Sequence, residues 1–180
     1  YVVVKRSKAI AFASGGTAHI YLNLAGRDKD GFLSEEQFAQ ALEEIRALMA
    51  KLKDPQTGGL VFERVLLRED LAQYHLEHPN AGDLVLQAYP GYNLDSHRGW
   101  KDVFQPANFN GQHGFAASQP AMDAIWIAAG PGLVRHCLLA NPGAILPQVN
   151  IVDLAPTLAV LLEITLPEPV DGTPLSGICP

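Results

Sequence analysis

The sequence predicts a mixed α/β fold, and three stretches carry that prediction. Ala18-His19-Ile20-Tyr21-Leu22-Asn23-Leu24 alternates in the manner of a half-buried strand. Phe38, Leu42, Ile45, Leu48, Met49 and Leu52 recur at steps of three and four, one apolar stripe along a helix. Ala124-Ile125-Trp126-Ile127-Ala128-Ala129 is an unbroken apolar run stopped by Gly130-Pro131-Gly132, the pattern of a strand buried on both faces. With 180 residues, 48% of them apolar and 18% charged, the chain can bury one substantial core, and its composition is not that of a disordered segment.

In chain order, residues 1–12 are β-rich, broken by the basic turn Lys5-Arg6-Ser7-Lys8, and Ser14-Gly15-Gly16-Thr17 reads as a turn. Neither a Walker pattern nor GxGxxG surrounds that glycine pair, so it is not read as a phosphate cradle. His19 occupies an ordinary strand position. The helix begins at Ser34 as N-cap, with Glu35 and Glu36 complementing its dipole, and Glu43, Glu44, Arg46 and Lys51 fall on its solvated side. Asp54-Pro55 and Gly58-Gly59 stop it. Residues 60–67 then form a strand, Arg68-Glu69-Asp70 opens a short helix toward Tyr74, and residues 83–89 form another strand closed by Pro90-Gly91. A Gly/Asn/aromatic loop over 92–110 leads to the run 124–129. Residues 134–147, with His136 and Cys137, are a loop. Asp153 caps a last helix, whose first turn tolerates Pro156 and whose buried face is Leu158, Leu161 and Leu162. The tail 167–175 turns tightly at Asp171-Gly172-Thr173. No internal repeat or low-complexity segment is present.

Several function classes are disfavoured at this level. The net charge of −6 is mild, and no Lys/Arg cluster or stripe offers a footprint for nucleic acid or an anionic membrane. Cys137 and Cys179 lack the spacing of a zinc ribbon or redox pair. No apolar run approaches the ~20 residues that span a bilayer, and no signal peptide is recognisable. The opening Tyr1-Val2-Val3-Val4 reads as strand continuing from elsewhere, so the chain is expected to begin inside a larger protein.

Three groups invite a chemical reading. Residues 28–36 (Asp28-Lys29-Asp30-Gly31-Phe32-Leu33-Ser34-Glu35-Glu36) imitate a calcium loop. With Gly31 at the sixth place, however, the first and twelfth positions fall on Gly26 and Gln37, neither of them a carboxylate. A turn into the helix cap is the simpler account. His75, His78, Asp83, Asp95 and His97 could supply zinc chemistry, but Pro79-Asn80-Ala81-Gly82 marks an exposed loop where scattered polar residues are ordinary. The third group is Asn110-Gly111-Gln112-His113-Gly114-Phe115. It holds one histidine between glycines, a residue suited to ligating metal and placed where the backbone can turn sharply and a ligand can come close.

Five stretches in order resemble the C-terminal part of a type I phosphodiesterase/nucleotide pyrophosphatase of the alkaline phosphatase superfamily. They are 18–27 (HIYLNLAGR in its core), 52–58 (LKDPQTG), 82–92 (similar to the family's APDLVV…GY), 110–132 (similar to its GxHG and following apolar run) and 149–175. The resemblance implies the C-terminal portion of an alkaline-phosphatase-like α/β sheet, one portion of a larger catalytic domain across 1–180. Residues 26–110 would be a small α+β cap-like accessory segment within it, with 26–74 the part that interrupts the catalytic segments. It further implies a binuclear hydrolase, usually with two zinc ions, in which a Thr or Ser nucleophile attacks phosphorus.

Of the family's ligands only the GxHG histidine is carried over, onto His113. By the same resemblance, the nucleophile, the first metal-binding Asp, the Asp-x-x-x-His pair and the Asp-His-Gly pair are expected upstream of Tyr1, and no catalytic residue is expected in this chain. The expected parent therefore hydrolyses a phosphoester or nucleotide substrate with two divalent ions, whereas the isolated chain, lacking the N-terminal half of the domain, should be inactive and hold no metal firmly. Exposed sheet edges are expected to invite self-association. The competing readings are a non-catalytic binding module of the same ancestry and a calcium module at 28–36.

Overall fold

A computed structural model describes residues 7–97, 101–107, 110–130, 145 and 148–175. Two compact units divide between Asp123 and Ala124. In the first, β1 (Ala9–Ser14) and β2 (Thr17–Leu22) form a hairpin joined by Gly15-Gly16. Gly15 takes φ +65°, a conformation that a two-residue hairpin loop requires and that glycine adopts without strain. β2 alternates as expected: Ala18, Ile20 and Leu22 are buried while Thr17, His19 and Tyr21 are half-buried.

The helix α1 (Glu35–Ala50) starts in a capping box. The Gln37 amide donates to Ser34 Oγ at 3.2 Å, and the Ser34 amide donates to Gln37 Oε1 at 3.0 Å. Ala41 is its buried residue, and Phe38, Leu42, Ile45, Met49 and the following Leu52 pack on the core. Leu48 departs from the expected stripe and is 61% exposed. At 3.6 residues per turn it lies about 80° round from Phe38, at the stripe's edge. Asp54 then closes a turn, its Oδ1 accepting from the Gln56 and Thr57 amides at 2.7 and 3.4 Å.

β3 (Phe62–Leu67) and β4 (Leu84–Ala88) complete one antiparallel sheet in the order β1-β2-β4-β3. Between them Arg68–Tyr74 is 3₁₀ rather than α-helical, and His75 leaves it at φ 53°. α1 crosses β2, β3 and β4 on one face; Leu66, Leu71, Ala81 and Val85 form a second cluster. β4, covered on both faces and paired on both edges, has every residue buried.

The second unit contains a 3₁₀ turn, Ile151–Asp153, leading into α2 (Leu154–Leu161). Asp153 precedes α2 but does not cap it with its side chain; its Oδ1 accepts from the Thr173 amide at 2.9 Å. Pro156, Thr157 and Ala159 are the buried residues of α2, whereas Leu158 and Leu162, expected inside, are exposed. An almost wholly apolar helix does not choose its face by composition. Here the tail helps choose it, since the Leu175 amide donates to Thr157 Oγ1 at 2.9 Å and a side chain at Gly172 would run into Val152.

Residues 124–129 are not a strand. Among the described residues they find no ladder partner, and Ile125 and Ile127 are 89% and 85% exposed. An apolar run becomes a strand only when its backbone groups are paired. The expected β-structure of residues 1–6, the loop holding His136 and Cys137, and Cys179 lie outside the described residues.

Candidate functional site

The GxHG segment lies across the turn of the β1–β2 hairpin. The Gly16 amide donates to the His113 carbonyl at 2.8 Å, and Thr17 Oγ1 donates to the Gly114 carbonyl at 2.5 Å. Gly114 takes φ +79°, and a Cβ there would stand 2.7 Å from the Ser14 carbonyl, so this glycine is needed for both conformation and approach. Gly111 faces open space. Phe115 packs so closely on Gly16 that a side chain at Gly16 would enter its ring, and Ala116 is buried. His113 itself is exposed, and its hydrogen bonds among the described residues use its main chain. The result is a fixed backbone carrying an imidazole toward solvent.

Further along, Arg64 Nη2 donates to Ser118 Oγ at 2.8 Å and Gln119 Nε2 donates to Glu63 Oε2. On the other side Gln112 Nε2 donates to Asn93 Oδ1 at 2.7 Å. Asn93 also lines a cleft of about 760 Å³ between the sheet, the end of α1 and residues from 91–97 and 101–107. Its floor is apolar, with Ala11, Ala13, Ala18 and Phe62, and Asp54, Asp95, Asp102 and Lys101 contribute charge to its lining. That volume suits a small molecule.

The other polar candidates have separate employments. Asp83, 3% exposed, accepts from the Leu22 amide at 2.8 Å and from both Arg27 Nη1 and Nη2 at 2.6 and 3.0 Å. These bonds, chiefly those to Asp83, hold the Arg27 guanidinium well above its ordinary pKa. Asp28, the apparent calcium ligand, accepts from the Leu24 amide at 2.8 Å and from Arg27. His78 Nδ1 accepts from the Asn80 amide at 3.0 Å, and Asp95 Oδ1 accepts from the His97 amide at 2.6 Å. His19 Nδ1 accepts from the Gly82 amide at 3.0 Å; burial, then the nearby Arg68 charge, lowers its pKa. Hydrogen bonds from the Gln56 amide first, and from Tyr92 and Thr57, hold the Asp54 carboxyl below its usual range.

Among the described residues no group of three or more His, Cys, Asp or Glu side chains could hold a metal ion. His113 alone does not make a site that needs about four ligands. Sequence reasoning missed Thr17, Glu63 and Arg64 as holders of the GxHG segment. It weighed Asp83 for metal where the structure gives it an arginine. A carboxylate at the head of an otherwise apolar strand was the available signal for a buried ion pair.

A mixed α/β sheet unit with a glycine-flanked histidine at a hairpin turn is what the chain presents, and its sequence places it among phosphoester hydrolases. Residues 3–116 match the type I phosphodiesterase / nucleotide pyrophosphatase family, and the chain belongs to that family. The matched stretch includes all four strands, α1 and His113. No curated protein and no solved structure matches the chain. No helix among the described residues is long and apolar enough to cross a membrane.

Proposed function

We propose that this chain forms the C-terminal part of a metal-dependent phosphodiesterase or nucleotide pyrophosphatase and contributes His113 as one ligand of a two-metal, zinc-type centre. The nucleophile and remaining ligands belong to a part of the parent protein other than this chain, so the isolated chain is inactive and retains little metal. Residues 26–110 serve as the cap-like accessory segment. The observation carrying this reading is the exposed His113 imidazole on a backbone pinned to the hairpin turn, inside the family-matched stretch. The described residues do not by themselves assemble a metal site.

The test is His113→Ala in the full-length protein, assayed on bis(p-nitrophenyl) phosphate with metal content read by elemental analysis. Loss of a ligand is expected to lower turnover by about 100-fold or more, beyond the 10–100-fold typical of groups that only support a ligand. Unchanged turnover and metal content would overturn the assignment.

A further inference from the structure

We infer that Glu63 and Arg64 form a clasp that positions the His113 segment, with Arg64 as its principal positioning residue. This inference rests on the reading of His113 as the functional group. In a regular strand, consecutive side chains point to opposite faces. Here the β3–β4 register shifts between Phe62 and Arg64, so that Phe62 stands opposite Ala88 and Arg64 opposite Gln87. Such a bulge re-aims a side chain. Two consecutive residues of β3 thereby reach two consecutive residues of the neighbouring segment: Arg64 holds Ser118, and Glu63 holds Gln119.

The guanidinium is itself braced. Arg64 Nη1 donates to Oε1 of the buried Gln87 at 3.3 Å, and Nη2 lies 3.6 Å from Glu63 Oε1. Its central carbon sits 4.8 Å from the Tyr74 ring centroid, within cation–π range. A planar fork can serve Gln87 and Ser118 together; a lysine ammonium on one stem cannot match that geometry. The His113 segment is therefore tied at two places, by Gly16 and Thr17 at residues 113–114 and by the clasp at 118–119. Between them Ala116 is buried and Phe115 packs on the core. A histidine whose own carbonyl is tied, on a segment held again at residues 118–119, keeps its direction when the ring is engaged.

Hydrogen exchange at the Gly16 amide reports this tether, because that amide bonds the His113 carbonyl. In Arg64→Ala, Gly16 exchange is expected to quicken about tenfold or more through local opening, while Val85 and Leu86 amides stay protected. Ser118→Ala/Gln119→Ala, which removes the other half of the clasp from outside the sheet, should do the same and covers the case in which Arg64→Ala fails to fold. In the full-length protein both variants are expected to lose about 10- to 100-fold in kcat with KM little changed, as misplacement of a reacting group does, and Arg64→Lys to recover only part of it. Unchanged Gly16 exchange in a folded variant, or unchanged kcat where His113→Ala abolishes activity, overturns the clasp. If His113→Ala itself leaves activity intact, the His113 reading fails, and Gly16 exchange alone still decides whether the clasp holds the segment.

Discussion

β4 and residues 124–129 are both short, uncharged, apolar runs, and they meet opposite ends. Every residue of β4 is buried, and it is paired with β2 on one side and β3 on the other. Residues 124–129 have the same kind of composition but form no ladder with any described residue, leaving Ile125 and Ile127 in solvent. The difference lies in what surrounds them. β4 is entered through Asp83, whose carboxylate binds the Leu22 amide and the Arg27 fork and so fixes where β4 begins beside β2. No comparable anchor precedes residue 124 among the described bonds. Apolar content makes a strand possible; paired neighbours and a polar anchor make it one.

The largest effect that can break this comparison comes from truncating one residue in each run. Leu86→Ala removes a side chain that is 4% exposed and should cost about 3 kcal/mol, within the range for buried leucines. Ile127→Ala, at 85% exposure, should stay within about 0.5 kcal/mol. Urea denaturation of the two variants checks this. Equal losses would mean that residues 124–129 are buried in solution, contrary to their exposure here.

What the sequence made legible was local. The Ser34 cap, the Gly15-Gly16 turn, the Asp54 stop and the turn that leads from residue 28 toward the helix cap all rest on residues within a few positions of one another. The misplaced elements needed distant information: whether 124–129 finds a partner, which face of α2 the tail covers, and how Arg64 reaches Ser118 fifty-four positions away. The family-resembling stretches become intelligible only once folded. Arg27 and Asp83 join 18–27 to 82–92; Tyr92 donates to Asp54 Oδ2 at 3.1 Å, joining 82–92 to 52–58; Thr17 holds Gly114 beside them. Their residues resemble a family pattern in the places where they hold each other. His113 was legible as a motif, but its supports were not.

A smaller effect separates the two glycines that flank His113. Gly114→Ala must place a Cβ against the Ser14 carbonyl at φ +79°, and should cost about 1–2 kcal/mol while freeing the segment from the hairpin turn. Gly111→Ala meets nothing within 4 Å and should change stability by no more than a few tenths of a kcal/mol. Thermal unfolding distinguishes them, with Gly16 amide exchange as the local reading. Equal behaviour would show that the close approach of residues 113–114 to β1 is not what holds this segment, and would sharpen the contrast between the anchored sheet and the unanchored run.

The smallest expected effect concerns pH and the anchoring of β4's entry. His19 Nδ1 accepts the Gly82 amide, one residue before Asp83, so the folded chain needs that nitrogen unprotonated. Burial first, and the Arg68 charge second, lower the folded pKa below 6.5. Tyr21 stacks beside the ring, and Asp83 faces Arg68 at 3.7 Å without reversing the shift. As pH falls below 6.5 the unfolded chain takes up a proton before the folded one does, so stability falls through the interval between the two pKa values and levels off below the folded value. His19→Asn can keep an acceptor near Gly82 while removing the titration. Melting temperatures measured downward from pH 7 should therefore decline less steeply in the variant than in the wild type. Parallel profiles would place the acid sensitivity elsewhere and remove His19 from the set of contacts that make β4, unlike residues 124–129, a strand.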